Sequence, residues 1–204
     1  MWKWAMLLVV SSFMILSGCS DNSDASTSNI QPIEENQNFT FRKTTWGMSQ
    51  EEVKKSESLV PSEKDSFLSY KDSINGLDAT LSYAFVDDKL AKAMYSIKET
   101  HTNKNDYISD YKDLKKLLTE KYGEPFEDNE IWSKSLYKND PEEYGLAVSL
   151  GHLNYLTQWE TEDTVVNLVL FGENYKITHT IMYESKNYSG EYDEKRKNTH
   201  KDKL

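Results

Sequence analysis

Hydrophobic positions along this chain change their period several times, and each change predicts an element. The run from Ala5 to Leu16 is apolar apart from Ser11 and Ser12. A membrane-spanning helix needs about 20 apolar residues, so this run is too short to span. From Ser20 to Asn38 (SDNSDASTSNIQPIEENQN) apolar residues almost vanish. Such a segment cannot offset its ordering entropy by burial, which predicts a disordered tether.

The patterned part begins at Phe39 and Phe41. In TTWGMSQEEVKK, Ser49 stands three residues before Glu52, the spacing of a capping box, with Met48 and Val53 placed as a hydrophobic staple. A helix is expected to start after Ser49 and to end before Pro61. FLSYKDSI and LDATLSYAFV then alternate apolar and polar residues on either side of Asn75-Gly76, which predicts a two-residue hairpin. Leu77, Ala79, Leu81, Tyr83 and Phe85 share one face of the second strand. After Asp87-Asp88, LAKAMYSI completes a three-stranded meander with Ala91, Ala93, Tyr95 and Ile97 on one side.

The period next switches to three and four. In DYISDYKDLKKLLTEKYGEP, Ile108, Tyr111, Leu114, Leu118 and Tyr122 recur at helical spacing and Leu117 joins them. Asp106 and Asp110 lie near the start and Lys115, Lys116 and Lys121 toward the end, as the helix dipole favours. Gly123 is placed to terminate the helix, with Pro125 just beyond. Asp140-Pro141-Glu142-Glu143 opens a short helix closed by Gly151, which Tyr144-Gly145 weakens. LNYLTQWET, TVVNLVLFG and YKITHTIMYES give a second meander, with Tyr175, Ile177, His179, Ile181 and Tyr183 facing one way. The segment Tyr188 to Leu204 mixes charges without periodicity and is expected to be a disordered tail.

The expected fold class is α+β: an antiparallel sheet of two three-stranded meanders with helices packed on one face, each half running helix then meander. The expected organisation is a leader over 1–18, a modified cysteine and tether over 19–38, one domain over 39–187 and a charged tail over 188–204.

Charge changes the picture for partners. The chain carries 24 Lys and Arg against 34 Asp and Glu, a net −10. Losing the leader removes Lys3 and no acid, which makes the remainder −11. An acidic surface argues against nucleic acid and against an electrostatic hold on anionic lipid. Cys19 is the only cysteine, so no disulfide forms within the chain and stability has to come from a packed core. About 150 residues are enough to bury one.

Lys3, the apolar run and the small residues Ser17 and Gly18 have the layout of a signal peptide. Leu16-Ser17-Gly18-Cys19 resembles the lipobox of bacterial lipoproteins. That resemblance implies diacylglyceryl transfer to the Cys19 thiol and cleavage between Gly18 and Cys19. The membrane then becomes a partner through covalent lipid, and the location extracytoplasmic. One acyl chain holds a protein only marginally, whereas two make the attachment durable.

Catalytic chemistry finds little support. His101, His152, His179 and His200 include no pair at ligand spacing, so no metal and no cofactor are expected. His179, among apolar neighbours, suits a satisfied or half-buried structural role. Ser109 to Lys112 and Ser135 to Lys138 match S-x-x-K and Ser20-Asp21-Asn22 spells S-D-N, but K-T-G is absent and S-D-N lies in the tether. Asp106, Asp110 and Asp113 lie along a helix as a solvated face. Aromatics remain as the lead. Tyr83, Tyr95, Trp159 and Tyr183 would form a recognition surface if they face outward together, whereas their alternation with polar residues favours a helix-sheet core.

FRKTTWGMSQEEVKKSE, YAFVDDKLAKAMYSI, LLTEKYGEP and WETEDTVVNLVL together resemble a group of bacterial extracytoplasmic lipoproteins of unassigned function. Their architecture is similar to the β-lactamase-inhibitor-protein-like fold, also seen in small lipoproteins of the outer-membrane assembly machinery. Trp46, Gly47, Tyr122, Gly123, Pro125 and Trp159 are the matching positions. The resemblance implies an antiparallel sheet with helices on one face, a protein-binding role and no catalytic residue. The expected function is a lipid-anchored, non-catalytic protein-interaction module of the bacterial cell envelope. A structural envelope component, a small-ligand sensor and an envelope enzyme without a recognisable motif are the alternatives.

Overall fold

The computed structural model describes residues 40–64 and 66–201. The leader, Gly18, Cys19 and the tether lie outside the described residues, so the expectations for lipidation and cleavage fall there. Four α-helices are α1 (Gln50–Ser56), α2 (Asn105–Tyr122), α3 (Tyr144–Ser149) and α4 (Ser189–Lys201). The strands are β1 (Ser62–Lys64), β2 (Phe67–Ile74), β3 (Leu77–Val86), β4 (Lys89–Ile97), β5 (Glu127–Trp132), β6 (Leu153–Glu160), β7 (Thr164–Glu173) and β8 (Lys176–Ser185). All eight form one sheet in the order β1-β2-β3-β4-β8-β7-β6-β5, every pairing antiparallel. The protein is α+β.

Turn chemistry sets the register. Asn75-Gly76, Asp87-Asp88 and Asn174-Tyr175 join consecutive strands, and both residues of each pair have positive φ, from 47° to 79°. Two left-handed residues twist a hairpin in the sense its strands require. Asn and Asp tolerate that conformation, Gly accepts it freely, and Tyr175 adopts it at a strain cost. Tyr175 is therefore an exposed turn residue, and the inward-facing set of β8 begins at Ile177.

At the start of α1 the Ser49 amide donates to Glu52 Oε2 at 2.8 Å while the Ser49 hydroxyl accepts from the Glu52 amide at 3.4 Å. This capping box satisfies two amides that the first turn leaves free. The helix ends at Ser56, before Pro61. In α2 the buried residues are Ile108, Tyr111, Leu114 and Leu118, while Leu117 stays exposed. Gly123 has φ +84° and its amide caps the Thr119 carbonyl at 2.9 Å. Gly145 lies inside α3 because a Cβ there would collide with the Lys104 backbone. Asn105 holds this crossing, accepting from the Gly145 amide and donating to the Glu142 carbonyl, each at 2.6 Å.

One face of the sheet carries the main core. A row across six strands reads Leu68, Tyr83, Ala93, Tyr183, Val166 and Trp159, all buried. The next reads Tyr70, Leu81, Tyr95, Ile181, Leu168 and Thr157, also buried. Val53 of α1, the apolar side of α2, and Ala147 and Val148 of α3 belong to the same cluster.

Helices do not all share this face. The β3–β4 register shifts between Ala84 and Phe85, so Ala91 is an extra residue opposite no partner. Ala91 was expected beside Ala93 and Tyr95, but it joins a second cluster with Ala84, Val86 and Tyr192 of α4 on the opposite face. The expected disordered tail is thus a helix from Ser189, and the ordered domain extends past residue 187. Periodicity misses α4 because Tyr192 is the one buried residue among those described in it. Burying one large side chain contributes about 1.5–3 kcal/mol, so α4 is held far more lightly than α2. The edge strands β1 and β5 also escaped the sequence pattern. Their exposed sequences Ser62-Glu63-Lys64 and Glu127-Asp128-Asn129-Glu130 carry charges of the kind that keep sheet edges from pairing with other chains.

Candidate functional site

The four aromatic candidates do not form a surface. Tyr83, Tyr95, Trp159 and Tyr183 are 0%, 7%, 1% and 4% exposed. They point from alternating strand positions into the main core, and Phe41 packs its ring against Tyr83, Tyr95 and Tyr183. Alternation on a one-sided sheet sends the largest residues inward, so these tyrosines and Trp159 are structural.

Alternation also determines what faces the other way. One outward row runs Lys71, Thr80, Ser96, Thr180, Val169, Leu156 and Asn129. The adjacent row runs Ser69, Ser82, Met94, Met182, Asn167, Gln158 and Glu127. Between Lys71 at one edge and Glu127 at the other, neither row contains a formal charge, in a chain of which 28% is charged. Asn167 is fixed within the face: it accepts from the Gln158 amide and donates to Glu184 Oε2 at 3.0 Å. Phe171 and Ile131, 42% and 45% exposed, add apolar area toward the far end. Charges return on the next row, where Lys92 pairs with Glu184 at 2.6 Å. Neighbouring strands lie about 4.8 Å apart and alternate residues about 7 Å apart, so the two charge-free rows across seven strands cover on the order of 450 Å², over half of the roughly 800 Å² that one partner contributes to a standard interface.

A second polar constellation lies on the helical side. Arg42 has φ +52° in the turn closed by the Phe41 and Thr44 bridge. Its guanidinium donates to Tyr95 Oη at 2.7 Å, to Glu57 Oε2 at 3.1 Å and to Asp72. Tyr83 donates to the other oxygen of Glu57, whose side chain is 3% exposed. Burial works against the Arg42 charge, but the Tyr95 and Asp72 hydrogen bonds and the Glu57 carboxylate hold its pKa above the ordinary arginine value. Burial and the Glu57 bond push the Tyr83 hydroxyl up. The partners of Arg42 lie 15, 30 and 53 residues away, so no local signal marks it. Two clefts meet at Arg42 and Lys121: one of about 410 Å³ bounded by Tyr122, Glu162 and Asp163, and an apolar one of about 240 Å³ bounded by Phe41, Leu117 and Tyr183. The acids facing the cations leave the larger cleft without a dominant charge.

His179 is neither half-buried nor satisfied: it is buried, and neither ring nitrogen has a hydrogen-bond partner among the described residues. Burial lowers its pKa from 6.5 to about 4, and His101 adds in the same direction. Its ring lies 5.9 Å from that of Tyr111, whose hydroxyl bonds Thr157 Oγ1 at 2.6 Å. His101 Nε2 is 2.6 Å from Asp110 Oδ2, and His152 stacks on Tyr137. No three His, Cys, Asp or Glu side chains are placed to hold a metal ion among the described residues. Among them no helix is long and apolar enough to cross a membrane.

Compared with known proteins, the chain matches no family model, no curated protein and no solved structure.

Proposed function

We propose that this chain is a lipid-anchored, extracytoplasmic protein of the bacterial cell envelope that acts without catalysis, as a protein-interaction module docking through the open face of its sheet. The observation that carries the docking surface is the charge-free centre of that face, bordered by Lys71, Glu127, Lys92 and Glu184. Interface cores are depleted of charge and their rims are polar. The anchor rests on Leu16-Ser17-Gly18-Cys19, which resembles a lipobox. We read the sheet as two helix-then-meander halves, which the strand order supports through the central β4–β8 pairing. The resemblance to β-lactamase-inhibitor-protein-like lipoproteins agrees with a broad antiparallel sheet.

Two measurements test the reading. A palmitate analogue fed to cells should label the wild type and leave Cys19→Ala unlabelled, and equal labelling of both refutes the anchor. A photo-crosslinking residue at Met94 should capture a specific envelope protein that the same group at Lys116, on the exposed side of α2, does not capture. Identical products from both positions remove the docking face. A small-ligand sensor is the second reading, favoured by the two clefts that meet at Arg42 and Lys121.

A further inference from the structure

Among the described residues the outer face is open except at one corner, where α4 lies across β3 and β4. Thirteen residues, SGEYDEKRKNTHK, make up this helix. A helix of that length is marginal in water by itself, so what holds it to the sheet decides whether it stays. Tyr192 fills a seat of small residues, Ala84 and Ala91 beside Val86, with its ring edge-on to Phe67 at 6.3 Å and Lys92 Nζ 5.4 Å from its centroid. Asp193 receives Lys92 at 2.8 Å, and Lys195 pairs with Asp87. Tyr188, just ahead of the helix, packs against the same cluster, and beyond these two aromatic residues the attachment is electrostatic. The Asp193, Lys195 and Asp87 side chains are 46%, 58% and 59% exposed, so salt screens them.

Leaving is also made easy. Lys92, 12% exposed, holds Glu184 at 2.6 Å as well as Asp193, so it stays paired when α4 departs. Departure uncovers Ala84, Val86 and Phe67 beside Met94 and Met182, next to the charge-free rows, and a gap of about 110 Å³ already lies there beside Tyr192. Adjacent Tyr192 and Asp193 thus display the chemistry that this seat accepts: an aromatic ring between small residues, followed by a carboxylate on Lys92.

We propose that the seat under α4 is a recognition site for a partner segment in which an aromatic residue is followed by an acidic one, and that α4 occupies it in cis until such a segment displaces it. The proposal rests on the docking reading of the outer face and adds the partner's motif and its regulation. The probe is a synthetic blocked peptide of the sequence GEYDEK, taken from residues 190–195, titrated against the full chain. Tyr192→Ala should bind it about tenfold more tightly than the wild type, since a largely occupied seat lowers apparent affinity by the fraction that is free. Ala84→Leu together with Tyr192→Ala should lose that binding. In the wild type, amide exchange over 189–201 should quicken severalfold between about 0.05 and about 0.5 M salt, with β3 and β4 unchanged. Equal peptide affinity for wild type and Tyr192→Ala, or α4 amides as protected and as salt-independent as those of β3, overturns the proposal. Crosslinking from Met94 reports separately: a working latch without partner capture sinks the docking face, and capture without a latch sinks only the present inference.

Discussion

The two faces of the sheet are built from the same strands and differ in what each can lose. On the inner face Trp159, Tyr83, Leu81, Leu168 and Ile181 are buried to 1% exposure or less beneath α1, α2 and α3. The outer face pairs Met94 with Met182 and Val169 with Thr180, and nothing covers its centre among the described residues. The inner face also accepts polar atoms with no partner among those residues, on His179, Trp159 and Tyr70. A fold that tolerates such costs inside yet leaves a charge-free surface outside keeps its stability on one face, and the proposed docking role falls to the other.

Mutation should separate the two. Leu168→Ala, in the centre of the inner face, should cost about 2–5 kcal/mol through lost burial and the cavity left behind. Its outward neighbour Val169→Ala should cost under about 1 kcal/mol. Urea unfolding midpoints decide this, and equal losses would erase the distinction.

Acid should attack the inner face selectively. His179 titrates at 6.5 when unfolded and at about 4 when folded, so between those values the unfolded chain binds the extra proton. Its contribution to stability is full above pH 6.5, declines as pH falls to 4 and is constant below, a loss of about 3 kcal/mol. Comparing His179→Leu with wild type across this window isolates the effect. The same slope in both proteins would assign it to groups other than His179.

Tyr192→Ala should fall between the faces, at about 1–2 kcal/mol, because α4 covers only a corner. A loss as large as that of Leu168→Ala would make α4 part of the core. The smallest effect on stability is expected from Met94→Glu, within about 1 kcal/mol, together with loss of any partner captured from the outer face. Retained capture would move the docking site elsewhere.

Local chemistry made much of this legible. The capping box at Ser49 and Glu52, the hairpin at Asn75-Gly76, the face of α2 and the stop at Gly123 each depend on residues within a few positions of one another, so short windows of sequence contain their causes. The outward rows were implicit too, since whatever alternates with Leu81 and Tyr95 has to face away. What the windows hid were contacts made at long range. Tyr83 and Tyr183 alternate as core residues do, but only a helix lying over their face decides that they are not surface. Arg42 finds Tyr95 across 53 residues.

By itself, then, the sequence determined α1, α2, the six strands of the two meanders and most of the residues that share a side, because backbone geometry and side-chain period act locally. Tertiary structure alone decided which side is covered, where the edge strands pair and that residues 189–201 are helical. Those outcomes depend on burial against distant partners: the bulge turns Ala91 outward beside Ala84, and only the assembled β3–β4 corner offers Tyr192 a place to bury.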